Sequence, residues 1–257
     1  IIYTDDMGAG DVSFLNNGWV KTPNIDKLAS GGLIVTNYYS SSPVSSPSRV
    51  GLTTGRFPTE MGINCYLQTR KGNAACEQFD YLDASVPTMA KVMKSAGYTT
   101  GHFGKWHMGG GRDVIDAPQI TEYGFDEYIS TWESPNPDPV ITDSAWIWSR
   151  TDQVKRWDRT AYFVDKTLDF LKRHKGEPCF VNLWPDDMHT PWVPSQKTMD
   201  SERTSWTTPP NFKEVLTEYD KQIGRLMEGL TKLGLEKNRS DVLSKHWMSW
   251  DCRKIQS

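Results

Sequence analysis

No apolar run in the 257 residues approaches the ~20 needed to cross a bilayer, and mean hydropathy is −0.59, so no membrane-spanning helix is expected. Surplus positive charge is missing too. The 29 Lys and Arg stand against 32 Asp and Glu, a net of −3, which argues against a nucleic-acid partner, since phosphate contacts call for a basic surplus or stripe. Cysteine is scarce: Cys65, Cys76, Cys179 and Cys252 are too few and too scattered for a disulfide scaffold, and none forms a CxxC zinc pair. Cys65 and Cys76 fit either a bridge across one loop or two separate thiols. Gly109-Gly110-Gly111 lacks both the P-loop Lys-Ser/Thr and the dinucleotide spacing, and reads instead as a mobile, substrate-facing loop. Repeats and low-complexity tracts are absent. The chain opens on Ile1-Ile2-Tyr3-Thr4, inside an apolar run with no Met and no signal peptide, as though a strand were entered midway.

Aromatic residues, by contrast, are plentiful: 11 Trp, 10 Tyr and 9 Phe. Flat rings on a polar chain suit carbohydrate contact, although most serve packing. Short apolar runs alternate with helical patterns, which predicts an α/β fold with a mostly parallel sheet flanked by helices. Strands are expected at Ile1–Thr4, Leu33–Tyr39, Tyr98–Phe103 and Cys179–Trp184. Helices are expected at Asn24–Ser30, Ser48–Thr54, after a Ser85 cap, at Arg159–Arg173 and at about Asn211–Leu233. Residues 109–139, rich in Gly, Pro and Asp, read as loop. In parallel sheets chemistry gathers at the carboxyl ends of strands. Asp5-Asp6, then Lys105 with His107, then His189 each follow a predicted strand.

Adjacent carboxylates such as Asp5 and Asp6 repel unless a hard cation sits between them or they point apart. Ser45 precedes a helix starting near Pro47, where unpaired N–H groups favour anions, and Arg49 offers a planar fork one turn on. Each cluster alone has an ordinary reading: a solvated turn, a Ser/Pro cap, a surface lysine over a ring. His102, His174 and His246 match no motif and read as structural.

Ser45-x-Pro47-Ser48-Arg49 followed by Thr54-Gly55-Arg56 resembles the type I sulfatase signature. The resemblance extends to Thr4-Asp5-Asp6-Met7-Gly8, Thr22-Pro23-Asn24-Ile25-Asp26, Gly101-His102-Phe103-Gly104-Lys105-Trp106-His107 and His189-Thr190-Pro191, in order and in register over about residues 1 to 235. It implies an alkaline-phosphatase-like fold, incomplete here at both ends, and a sulfuric ester hydrolase. Ser45 would be the Cα-formylglycine precursor, matured by the oxygen-independent route. One hydrate hydroxyl would attack sulfur and the other expel sulfate. Asp5, Asp6 and the oxygen at Ser45 would hold Ca²⁺, or Mg²⁺ in its place. Arg49 would fix the hydrate, Lys105 the sulfate, His107 would take a proton, and His189 would protonate the leaving alcohol. Arg112, Asp113 and Trp192 are candidate substrate contacts. A formylglycine-generating maturase is the implied partner, a sulfated sugar of galactose type or an aryl sulfate the implied substrate, and the periplasm or exterior the implied location.

Thr53 departs slightly from the pattern, which usually has Leu or Met there. A larger departure follows Leu233-Gly234-Leu235-Glu236-Lys237-Asn238: Arg239-Ser240-Asp241-Val242 shows neither an apolar strand nor the family's second ligand pair, Asp-Asn-Gly. Residues 1–238 are therefore expected to be a partial catalytic domain and 239–257 an unassigned tail, cut by a fragment boundary or a frame change. Two other readings stay open. One is a phosphomonoesterase or phosphodiesterase using unmodified Ser45, with Asp187-x-His189 as its extra ligand cluster. The other is a non-catalytic sugar-binding remnant.

Overall fold

Val181, Leu183 and Phe103 belong to runs apolar enough to be buried on two faces, and the strands that hold them pair at the centre of the sheet. The computed structural model describes residues 1–15, 18–142, 148–237 and 239–245. Its five strands are β1 (Ile2–Thr4), β2 (Thr99–Gly104), β3 (Glu127–Ser130), β4 (Cys179–Trp184) and β5 (Leu243–Lys245). All neighbours run parallel, in the order β3-β2-β4-β1-β5. β2 and β4 pair along their whole length, Thr99 opposite Cys179 through Gly104 opposite Trp184.

Seven helices are described: α1 (Pro23–Ser30), α2 (Ser45–Thr54), α3 (Arg70–Ala75), α4 (Met89–Ser95), α5 (Arg159–Arg173), α6 (Gln196–Met199) and α7 (Pro209–Lys232). Alternation along the strands sends side chains to two cores. Ile2, Phe103 and Leu183 join Phe163 and Phe170 of α5 and Leu216, Tyr219 and Ile223 of α7. Tyr3, Phe180 and Trp184 join Val50 of α2, Ala90 of α4, Trp106, Tyr123 and Phe125 on the other face. Trp184 is core, 1% exposed. The carboxylate of Asp220 in α7 accepts from the backbone N–H groups of Asn24 (3.1 Å) and Ile25 (2.9 Å), closing the α1 N-terminus against its neighbour. None of the described helices is long and apolar enough to cross a membrane.

Several expectations are corrected. Leu33–Tyr39 forms no strand despite its alternation; Leu33, Val35 and Tyr39 are exposed and no described strand pairs with them. The loop expected over 109–139 contains β3, a four-residue edge strand too short to leave a period. The segment after Asn238 does form a strand: β5 lies beside β1 with Ile2 opposite Leu243, and the Ile2 N–H donates to Val242 O at 2.7 Å. Three residues carry too little pattern to be read. α2 begins at Ser45 rather than Ser48, since Pro47 in a first turn forfeits no intrahelical bond. Thr88, accepting from the Lys91 N–H, caps α4, while Ser85 donates to Asp83. Asn238, His246 and Cys252 lie outside the described residues; Cys65, Cys76 and Cys179 are free thiols.

Candidate active site

The carboxyl ends of β1, β2 and β4 open on one side of the sheet, each followed by a turn that aims polar groups at α2. Gly104 makes the sharpest of these turns. Its φ is +131°, and a Cβ there would stand 2.0 Å from Trp184 O, so only glycine lets β2 hug β4 while the Lys105 N–H donates to the same carbonyl at 2.9 Å. Lys105 and His107 thereby turn beneath the first turn of α2.

Ser45 is the first residue of α2 and 7% exposed. Arg49, one turn on, is fully buried, its guanidinium 5.1 Å from the Trp184 ring centre and 5.6 Å from that of Tyr3. Its three nitrogens serve three partners. Nε donates to Ser45 Oγ (2.9 Å), Nη1 donates to Lys105 O (2.9 Å), and Nη2 lies 3.2 Å from Asp5 Oδ1. Lys105 Nζ donates to the other oxygen of Asp5 at 2.8 Å. Burial disfavours the Lys105 ammonium, but Asp5 and Glu133 outweigh it and raise its proton affinity.

His107 Nδ1 is 3.0 Å from Ser45 Oγ, and Nε2 is 3.0 Å from Leu67 O. A carbonyl only accepts, so Nε2 carries the hydrogen and Nδ1 presents its lone pair to Ser45. Burial pushes this imidazole down to about 4, against the pull of Glu133, so it is neutral near pH 7. The arrangement is a hydroxyl between a guanidinium donor and a neutral base.

Asp5, Ser45, Arg49, Lys105 and His107 are thus joined by direct contacts. Asp6 and His189 stand 3.7 Å apart on the β4 side, with His189 Nδ1 donating to Thr190 O at 2.6 Å. Arg112 reaches the site's edge, stacked 4.9 Å from the Trp132 ring and 3.3 Å from Glu133. Asp113 makes its contact elsewhere, accepting from the Arg70 N–H (2.9 Å) and fastening its loop to α3. Trp192 donates to Met188 O (2.7 Å) and packs on Phe212 of α7. Asp187 accepts from the Thr160 N–H (3.0 Å) in the first turn of α5 instead of joining His189 in a ligand cluster. The glycine triplet differs from its expectation as a mobile loop: a Cβ on Gly110 would stand 2.3 Å from the backbone of Pro135, so the loops 107–112 and 131–135 are pressed together.

Two residues at this site escaped the sequence. Glu133 is 7% exposed and within 3.3 Å of Lys105 Nζ, His107 Nε2 and Arg112 Nη2. Burial pushes its carboxyl up, but His107, Lys105, His189 and Arg112 together bring it down to about 2. The signal for it was a strand end: Glu133 lies three residues beyond β3, the strand that left no pattern. Arg156, 3% exposed, donates from Nη2 to His189 O (2.9 Å) and from Nη1 to Asp186 (2.8 Å), holding the turn that carries His189.

Asp5, Asp6 and the Ser45 oxygen do not amount to a complete calcium site. No group of three or more His, Cys, Asp or Glu suited to a metal occurs among the described residues, and Ca²⁺ takes roughly 6–8 oxygens. Arg49 and Lys105 already supply two positive charges to Asp5.

The family model described as Sulfatase matches residues 1–240. The chain belongs to the sulfatase family. The family in general implies a metal and a formylglycine. Among curated relatives, this sulfatase is 26% identical over 261 residues to N-acetylgalactosamine-6-sulfatase of Rattus norvegicus, covering 93% of the chain and 47% of the relative. It is 27% identical over 297 residues to N-acetylgalactosamine-6-O-sulfatase of Bacteroides thetaiotaomicron, covering 92% and 56%. The chain therefore spans about half the length of the curated relatives it matches. A solved structure from work on glycosaminoglycan metabolism by Bacteroides thetaiotaomicron superposes with a TM-score of 0.71 at 26% identity, covering 92% of this chain and 59% of that one. Ps i-CgsB in complex with k-i-k-neocarrahexaose shares the fold, with a TM-score of 0.70 at 24% identity, covering 92% and 55%.

Proposed function

We propose that this sulfatase hydrolyses a sulfate ester of a carbohydrate, with Ser45 as its reacting position after maturation to formylglycine. The observation that carries the reading is the placement of Ser45 Oγ, 2.9 Å from the Arg49 donor and 3.0 Å from the His107 acceptor at the head of α2. A formylglycine there supplies a hydrated aldehyde, a nucleophile that can also release the sulfate it has accepted. The chain's own groups do the rest. Arg49 Nε holds the oxygen at position 45, and His107 Nδ1 takes its proton. Lys105 Nζ neutralises charge on the transferred group. His189, half-buried beside Asp6, gives a proton to the departing alcohol. Asp5 and Asp6 would be the chain's contribution to a calcium shell.

A sugar substrate is favoured by the names of the similar sulfatases, which act on 6-sulfated N-acetylgalactosamine. Arg112 over Trp132 is the cation offered to it at the rim. The reading includes a serine-type maturase as partner and an exported location. A phosphate-ester reading draws on a likeness to phosphonate monoester hydrolase of Agrobacterium radiobacter, TM-score 0.65 at 17% identity, which is a likeness of fold alone. Co-expression with the maturase decides between them. The expected result is loss of two hydrogens at Ser45 by peptide mass, followed by sulfate release from an aryl sulfate and from 6-sulfated N-acetylgalactosamine. An unmodified Ser45 with phosphate-ester turnover would overturn the reading, and a matured chain that releases nothing would leave a binding remnant.

A further inference from the structure

Glu133 is the buried group at this site that the proposed chemistry leaves unused. Both halves of the residue hold position 107. Its carbonyl accepts the His107 N–H at 2.9 Å, and its carboxylate oxygen Oε1 lies 3.3 Å from His107 Nε2. Oε2 lies 3.3 Å from Lys105 Nζ, and Oε1 is shared with Arg112 Nη2 at 3.3 Å. Ser45 Oγ, His107 Nδ1, His107 Nε2 and Glu133 Oε1 follow one another across the imidazole, 3.0 Å on one side and 3.3 Å on the other.

We propose that Glu133 is the positioning carboxylate of the Ser45–His107 pair: its carbonyl on the His107 N–H and its carboxylate between His107, Lys105 and Arg112 hold the imidazole against Ser45, while Leu67 O keeps the hydrogen on Nε2. The inference rests on the reading of Ser45 as the reacting side chain. Leu67 O alone fixes a tautomer but offers no net charge. Asp5 already lies against Arg49 and Lys105. Glu133 approaches the ring from its Nε2 side, so it braces the imidazole without competing with Ser45 for Nδ1. Its place depends on the pressed loops: Gly110 against Pro135 brings 131–135 under 107–112, and Arg112, φ +55°, folds back over Trp132 onto the same carboxylate.

The test compares Glu133→Gln, Glu133→Asp and Glu133→Ala with the parent, all co-expressed with the maturase. With an aryl sulfate, Glu133→Gln is expected to lower kcat ~10²-fold while KM stays within about threefold, and Glu133→Asp to recover part of the loss. At a pH where the ring is neutral, the His107 Nε2–H proton resonance is expected downfield in the parent and displaced upfield or lost to exchange in Glu133→Gln, whose near-isosteric side chain preserves the fold. An unchanged kcat, or a raised KM at constant kcat, would overturn the proposal. If the parent itself releases no sulfate, the reading of Ser45 has failed, and the ring-proton resonance alone decides Glu133: no displacement in Glu133→Gln sinks it.

Discussion

The two sides of Ser45 are built differently. Toward β2 and the 131–135 loop, Arg49, Lys105, His107, Glu133 and Asp5 are buried at 7% exposure or less and hold one another by distances of 2.8–3.3 Å. Toward β4, Asp6 and His189 are half-buried, 3.7 Å apart, and the turn that carries His189 depends on Arg156 behind it. A closed network of opposite charges needs little reorganisation when charge develops beside it, whereas a half-open one leaves room for the leaving alcohol to enter. The buried side suits sulfate and nucleophile; the open side suits the variable part of the substrate.

Removing the proposed base, His107, should have the largest consequence. His107→Ala is expected to reduce kcat for an aryl sulfate by ~10³-fold, whatever the leaving group. His189→Ala should cost ~10²-fold with a sugar sulfate and far less with a nitrophenyl sulfate, whose phenolate leaves without a proton. Comparing kcat for the two leaving groups in each variant measures the asymmetry, and equal losses would erase the distinction between the two sides.

Behind the buried side, His102 lies fully buried with its ring 5.3 Å from Trp106 and 5.0 Å from Trp184. Burial first, then the Arg49 charge, pushes its imidazole from 6.5 down to about 3. The unfolded chain therefore takes up the proton first on acidification, so stability is full above pH 6.5 and falls as pH drops toward 3, by on the order of 5 kcal/mol in all. Urea midpoints at pH 7 and pH 4.5 should lie closer together in His102→Phe than in the parent. The smallest effect belongs to Asp113. Because its carboxylate accepts from the Arg70 N–H, Asp113→Ala should lower stability by about 1 kcal/mol and leave KM for a sugar sulfate within about twofold. A larger KM shift would make it a sugar contact.

Long periodic elements were readable in advance. α5 runs Arg159–Arg173 and β4 runs Cys179–Trp184, both as their patterns predict, because amphipathic or two-face-buried segments of that length carry many concordant residues. Leu33–Tyr39 shows the limit in one direction: alternation states a preference, and a strand needs a neighbour to bond. β3 and β5 show it in the other, since three or four residues form strands because a neighbour's edge is waiting. Motif residues whose spacing is local to a turn, such as Ser45 with Arg49, were legible. Glu133 was not, being 26 residues from His107 with no element between them that its pattern announced.

By itself, the order of residues determined an α/β chain with candidate reactive groups at three strand ends, because strand–turn spacing and helix periodicity are properties of neighbours along the chain. Only the tertiary structure decided which atom of His107 faces Ser45, that Asp5 lies between two cations, and that a fourth strand end contributes a carboxylate. Those depend on close approach, Gly104 against Trp184 and Gly110 against Pro135, and contact across the fold leaves no periodic trace in the chain.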